Sequence, residues 1–153
     1  MTKTLSVSAI KNGTVIDHIR AGQALRIMRL LQVLDSNKNK VTLGLNLASQ
    51  TLGLKDLIKI ENRMLTNDEA NDIVVFAPEA TINIIENFEV KQKVTTHLPA
   101  SIANVFLCPN RACITKTEKA NTIFHITEQG KMVKLTCHYC EKEFDRDDVK
   151  VNI

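Results

Sequence analysis

Tryptophan is absent from this chain of 153 residues, tyrosine occurs once and phenylalanine five times, which leaves little aromatic surface for stacking bases. Only five glycines occur, Gly13, Gly22, Gly44, Gly53 and Gly130, and none belongs to a glycine-rich phosphate loop. A phosphorylated ligand would therefore be held by side-chain ammonium groups instead of a cradle of backbone amides. No apolar run is longer than a few residues, which excludes a membrane-spanning helix, and the start, Met1-Thr2-Lys3-Thr4, lacks the hydrophobic stretch of a signal peptide. The expected compartment is the cytoplasm. A strong charge of either sign is also missing: Lys and Arg outnumber Asp and Glu by 12 to 10 through residue 98 and by 8 to 7 beyond it, for a net charge of +3. Neither part is basic enough to point to nucleic acid. The four histidines, His18, His97, His125 and His138, sit in no nucleophile or metal-binding motif, so no catalytic constellation is visible.

Cysteine, by contrast, is concentrated. All four lie in the last 46 residues, as Cys108-Pro-Asn-Arg-Ala-Cys113 and, after a gap of 23 residues, Cys137-His-Tyr-Cys140. Two close pairs joined by a longer loop suit tetrahedral coordination, because each turn offers two sulfurs and the loop folds one turn onto the other. A reducing compartment disfavours the alternative of two disulfides. Zinc is preferred over an iron-sulfur cluster for a thiolate set of this spacing, and four thiolates close the coordination shell, so one structural Zn2+ per chain is expected, folding the module without performing chemistry. His138, between the last two ligands, is a fifth ligand candidate, with an exposed loop position as its expected role.

Periodicity organises the rest. Leu5 to Ile10 alternates as a first strand with Asn12-Gly13 as its turn, and Ala24, Ile27, Met28, Leu31 and Leu34 form a helical stripe between Gly22 and Leu34, ended by Asp35-Ser36-Asn37. Val41, Leu43, Leu45 and Leu47 alternate as a second strand, and Lys55 to Glu61 reads as a third with Ile58 and Ile60 buried. Thr66-Asn67-Asp68-Glu69 is a capping box opening a second helix with the stripe Ala70, Ile73, Val74 and Ala77, stopped by Pro78. Ile82 and Ile84 mark a fourth strand, Phe88 and Val90 a short fifth. Residues 94–100 read as a linker, and short strand-like runs follow at Ile102 to Leu107, Ile123 to Ile126 and Met132 to Thr136. The fold class is α+β: a ferredoxin-like domain with one added strand over 1–98, then a small all-β, zinc-ribbon-like domain over 99–153, of a size that commonly needs a metal to fold.

On the third strand Lys55 and Lys59 share parity and point away from Ile58 and Ile60, about 13 Å apart at ~3.3 Å per residue. Lys91 and Lys93 do the same beyond the last strand, and Asp17-His18 offers groups suited to a ribose hydroxyl or an amino group. Lysines on the open face of a strand are ordinarily solvated, so spacing leaves both a ligand site and a solvated face open.

The run Gly13-Thr-Val-Ile-Asp-His-Ile19, the block Thr42-Leu-Gly-Leu-Asn-Leu47, the segment Lys55-Asp-Leu-Ile-Lys-Ile-Glu-Asn62, the stretch Pro78-Glu-Ala-Thr-Ile-Asn83 and the two cysteine turns, the second continuing Glu141-Lys142, resemble in this order the regulatory chain of aspartate carbamoyltransferase. The resemblance covers nearly the whole chain. It implies a non-catalytic subunit whose first domain binds nucleoside triphosphates (CTP, UTP, ATP) and whose zinc domain docks on the catalytic chain, with a second regulatory chain completing a dimer. By position it puts the triphosphate against Lys93 and His18, the ribose near Asp17 and Lys59, and the base near Val7, Ala9, Ile10, Lys59, Asn83, Ile85 and Val90, with Lys55 at the edge. It assigns Asn110, Tyr139, Glu141 and Lys142 to the contact with the catalytic chain, and no role with nucleic acid or membrane. Arg20, Phe88, Ala112 and His138 depart from the family pattern, where proline, tyrosine, asparagine and lysine are expected. A nucleic-acid-binding zinc ribbon on a ferredoxin-like domain is the rival reading and would show steeply salt-dependent binding; a metalloenzyme is third.

Overall fold

The computed structural model describes residues 8–33, 38–118, 120–130 and 132–152. The chain divides into two compact units, Met1–Thr96 and His97–Ile153. No helix among the described residues is long and apolar enough to cross a membrane.

In the first unit the order is β1 (Gly13–Arg20), α1 (Ala24–Leu30), β2 (Val41–Ser49), β3 (Gly53–Glu61), α2 (Asn67–Phe76), β4 (Thr81–Glu86) and β5 (Glu89–Val94). The strands form one antiparallel sheet in the order β2-β3-β1-β4-β5. Directly opposed residues share a face of a sheet. Ile16 opposes Ile58 and Ile82, and Thr14 opposes Ile60 and Ile84; all six are buried. Ala24, Ile27 and Met28 of α1 and Ala70, Ile73 and Val74 of α2 complete this core, the apolar stripe that a 3.6-residue period predicts. The capping box of α2 forms as its sequence dictates, with Thr66 accepting from the Glu69 amide and Glu69 from the Thr66 amide.

Several boundaries differ from the sequence reading. The first strand begins at Gly13, where the sequence suggested a turn; Ser8 to Ile10 carry no strand, and residues 5–7 lie outside the described set. Gly13 is required there: its φ is 142°, and a Cβ would stand 2.0 Å from the Ile60 carbonyl oxygen. Helix α1 stops at its cap, Leu31, because Gln32 turns left-handed at φ 56°, and the expected end through Leu34 and Asp35-Ser36-Asn37 falls outside the described residues. Phe88 belongs to the β4–β5 turn, with Asn87 and Phe88 at φ 51° and 66°, so Lys91 and Lys93 lie within β5 and not beyond it. Alternation in β2 breaks at a bulge between Gly44 and Leu47, where Asn46 has φ 56°, leaving Leu45 exposed.

In the second unit β6 (Ser101–Ala103), β8 (Ile123–Gln129), β9 (Met132–Cys137) and β10 (Glu143–Asp145) form an antiparallel sheet in the order β10-β9-β8-β6, and β7 (Phe106–Leu107) pairs with β11 (Lys150–Val151). The expected run Ile102 to Leu107 is two strands, because Asn104 turns at φ 64°. The core of this unit is small: Phe106 meets Phe124 edge to face at 5.9 Å, and Leu135, Cys137 and Val149 are fully buried with them.

Candidate metal centre and ligand face

Cys108 and Cys113 bracket the turn after β7, and Cys137 and Cys140 bracket the turn after β9. Their four sulfurs lie within 4.8 Å of one another, with Cys108–Cys140 at 3.7 Å and Cys113–Cys137 at 3.8 Å. A tetrahedral ion with metal–sulfur bonds of about 2.3 Å needs sulfur–sulfur edges of about 3.8 Å, whereas a disulfide needs about 2.05 Å. The donor set therefore fits a closed tetrahedral thiolate site. Each turn supports it locally: the Asn110 carbonyl oxygen receives the Cys113 amide, its side-chain oxygen receives the Ala112 amide, and the Glu141 amide donates to the Cys137 carbonyl with Glu141 at φ 61°.

Without an ion the four thiols are ill-matched. Burial pushes Cys108 up to about 12 and raises Cys137 as well. Burial opposes ionisation of Cys113 too, but the Thr115 hydroxyl 3.1 Å away, the Thr115 amide and the neighbouring thiols bring it down to about 7. A cation that replaces the protons removes the mismatch, and this couples metal binding to folding.

On the first unit, the face of the sheet opposite the helices carries a row set by register. Val15 opposes Lys59 on one side and Asn83 on the other, and Asn83 opposes Lys93. Lys59, Asn83 and Lys93 thus come together across four strands. Lys59 donates to the Ser8 carbonyl at 2.7 Å, and burial lowers the pKa of this lysine, partly offset by Asp17. The Asn83 side-chain oxygen is buried with no hydrogen-bond partner among the described residues, a condition that invites a donor from a ligand. Lys93 stands exposed on β5.

Asp17 and His18 lie within the β1 bulge, between Ile16 and Ile19, on this side of the sheet. Burial would raise the Asp17 carboxyl, but Lys55 at 2.9 Å and the His18 amide at 2.6 Å hold it below the usual carboxylate range. His18 adopts φ 55°, and its Nδ1 lies 3.1 Å from the Thr81 hydroxyl. Ile85 is buried, opposite Gly13 and Val90, while Ala9 and Val90 are exposed and Ile10 is buried in the segment entering β1. Val7 lies outside the described residues. Arg20, at the far end of β1, lines a depression with Leu52, Leu54 and Glu79 that contains none of the row. In the second unit Tyr139, Glu141 and Lys142 are exposed on or just after the second cysteine turn, and Asn110, within the first, is half-buried.

Two residues escaped the sequence reading. Asp56 is 1% exposed, on the same parity as Ile58 and Ile60, and accepts from the amides of Gly22, Ala24 and Asn46 at 3.0, 3.3 and 3.1 Å. A lone carboxylate in an apolar strand row was the available signal. His125 is the other, and its partner is His138: the imidazole of His138 faces β8 and not the sulfurs.

Two family models match. The allosteric domain of the aspartate carbamoyltransferase regulatory chain matches residues 5–97, and the metal binding domain of the same chain matches residues 100–150. Among curated relatives, the aspartate carbamoyltransferase regulatory chain of Tolumonas auensis is 50% identical over 147 residues, covering 96% of this chain and 95% of that protein. Those of Chromobacterium violaceum and Aeromonas hydrophila are 46% and 48% identical, covering 97% and 95% of this chain and 97% and 94% of the relatives.

Proposed function

Because the chain belongs to the family of aspartate carbamoyltransferase regulatory chains, non-catalytic subunits with an allosteric and a metal-binding domain, we propose that it is an effector sensor that binds CTP, UTP or ATP in residues 1–98 and docks on the catalytic chain through residues 99–153. The strand order β2-β3-β1-β4-β5 with helices between β1 and β2 and between β3 and β4 supports a ferredoxin-like reading of the first domain with β5 added. The second reads as a zinc-ribbon-like module whose resident ion is Zn2+.

The observation that carries the effector reading is the row Lys59–Val15–Asn83–Lys93. It sets an amide oxygen without a partner among the described residues between two ammonium groups, the pattern a nucleotide with a base N–H donor (the exocyclic amine of CTP or ATP, the ring N–H of UTP) and a phosphate chain would fill. Lys93 and His18 would hold the triphosphate, Asp17 and Lys59 the ribose, and Asn83 with Ile85, Val90 and the segment Val7–Ile10 the base. Lys55 is engaged by Asp17 and acts at the edge. The zinc turns would present Tyr139, Glu141, Lys142 and Asn110 to the catalytic chain, and a second regulatory chain completes the sensor.

Bound effector regulates only through differential affinity for two arrangements of the assembly. Couplings of roughly 1–3 kcal/mol correspond to affinity changes of about five- to 150-fold. Calorimetry with CTP and ATP on the full chain tests the reading: binding is expected, Lys59→Ala should weaken it with zinc content unchanged, and no binding at millimolar nucleotide would remove the effector role.

A further inference from the structure

His125 sits on β8 opposite Ser101 on one side and Thr136 on the other, so neighbouring strands fix its backbone on both flanks. His138 is fixed too: it follows Cys137 directly, and its amide donates to the Ile123 carbonyl at 2.9 Å. These two anchored positions bring His125 Nε2 to 3.0 Å from His138 Nδ1, with ring centroids 5.2 Å apart and planes tilted by 52°. Both residues are exposed in the chain, with the Tyr139 ring edge-on to His138 at 5.2 Å, so water can reach an ion between them.

We propose that His125 and His138 form a second site, open to solvent in the undocked chain, for a divalent transition-metal ion such as Zn2+ or Ni2+, separate from the four-cysteine centre. Imidazole nitrogen is the shared preference of these ions, with metal–nitrogen bonds of about 2.0–2.1 Å. At a nitrogen–nitrogen separation of 3.0 Å such bonds subtend about 90–97°, the cis angle of an octahedral ion with water in its remaining positions. Widening the pair by about 0.3–0.4 Å would reach the tetrahedral angle zinc prefers, a change within the broad χ2 well of an exposed histidine. The present contact requires one nitrogen to offer a lone pair and the other an N–H. On metal binding the donor ring moves that proton to its own outer nitrogen, His125 Nδ1 or His138 Nε2, so both facing nitrogens become ligands and no net proton is released. The site is distinct from the thiolate centre because its donors are neutral and exposed, while three of the four thiols are buried. It should therefore bind more weakly and exchange faster.

Equilibrium dialysis of the full, zinc-loaded chain against excess Zn2+, followed by elemental analysis, tests this. The wild-type chain is expected to retain a second equivalent of zinc, and His125→Ala to retain one. His138→Lys, which places the residue expected in the family pattern at that position, should also retain one, with circular dichroism matching wild type as the check that the variants fold. Retention of a single equivalent by the wild-type chain overturns the proposal. So does an undiminished second equivalent in both folded variants, which would assign the ion to other surface groups.

Discussion

Replacing Asp56 by alanine should destabilise the first unit severely while leaving the metal content of the second unchanged. The Asp56 carboxylate is 1% exposed and is the acceptor for three backbone amides: Gly22 and Ala24, where the chain leaves β1 for α1, and Asn46, at the bulge of β2. Removing it orphans all three donors at once. A hydrogen bond to a charged group contributes about 1.5–3 kcal/mol, and an unmade buried one costs about as much. Two of the three bonds are only part-buried, so water can partly replace the carboxylate, and the low end of that range applies. Three bonds then give about 4–5 kcal/mol, a large share of the 5–15 kcal/mol typical of a whole domain. Asp56→Asn keeps the volume and one oxygen but turns an NH2 group towards a donor, so about half the loss is expected. Urea unfolding followed by circular dichroism measures both variants. An alanine variant within about 0.5 kcal/mol of wild type would refute the assignment of Asp56 as the pin that joins the two irregular strands to the helix.

Asp72 on α2 supplies a pH signature. Burial first, then the charges of Asp68 and Glu69, push its carboxyl up to about 6, so the folded state prefers the protonated form and loses stability as pH rises from about 4 through 6. Asp72→Asn should be neutral near pH 4 and stabilising by about 1 kcal/mol above pH 7, allowing for solvent screening of a half-exposed group; thermal melts at the two pH values check the sign. Cys113→Ala should remove much of the roughly 10–16 kcal/mol that a structural zinc site supplies. Elemental analysis and copurification with the catalytic chain should both fail for this variant, while calorimetry still detects nucleotide.

Features carried by neighbours in sequence were legible without the structure, and features carried by pairing were not. The cysteine turns and the Thr66–Glu69 cap are local: each is complete within a few residues, and each forms as its spacing dictates. Apart from the start of β1 at Gly13, the departures from the expected strands share a physical origin in non-glycine residues with positive φ. His18 and Asn46 accompany bulges in β1 and β2, Asn87 and Phe88 make the β4–β5 turn, and Asn104 splits β6 from β7. Each breaks a two-residue period that composition alone would extend. Parity along β3 correctly separated Lys55 and Lys59 from Ile58 and Ile60, but parity names only a face. That Lys59 stands one strand from Val15, two from Asn83 and three from Lys93 depends on the register of three strand pairs, and a slip of one residue in any of them would send a member of the row to the opposite face. The same holds for His125 and His138, which lie 13 residues apart and meet only because β8 and β9 form a hairpin whose end is clamped by Cys137. A candidate ligand face of this kind is a product of strand pairing, and its integrity should follow the stability of the sheet more closely than the identity of any one lysine.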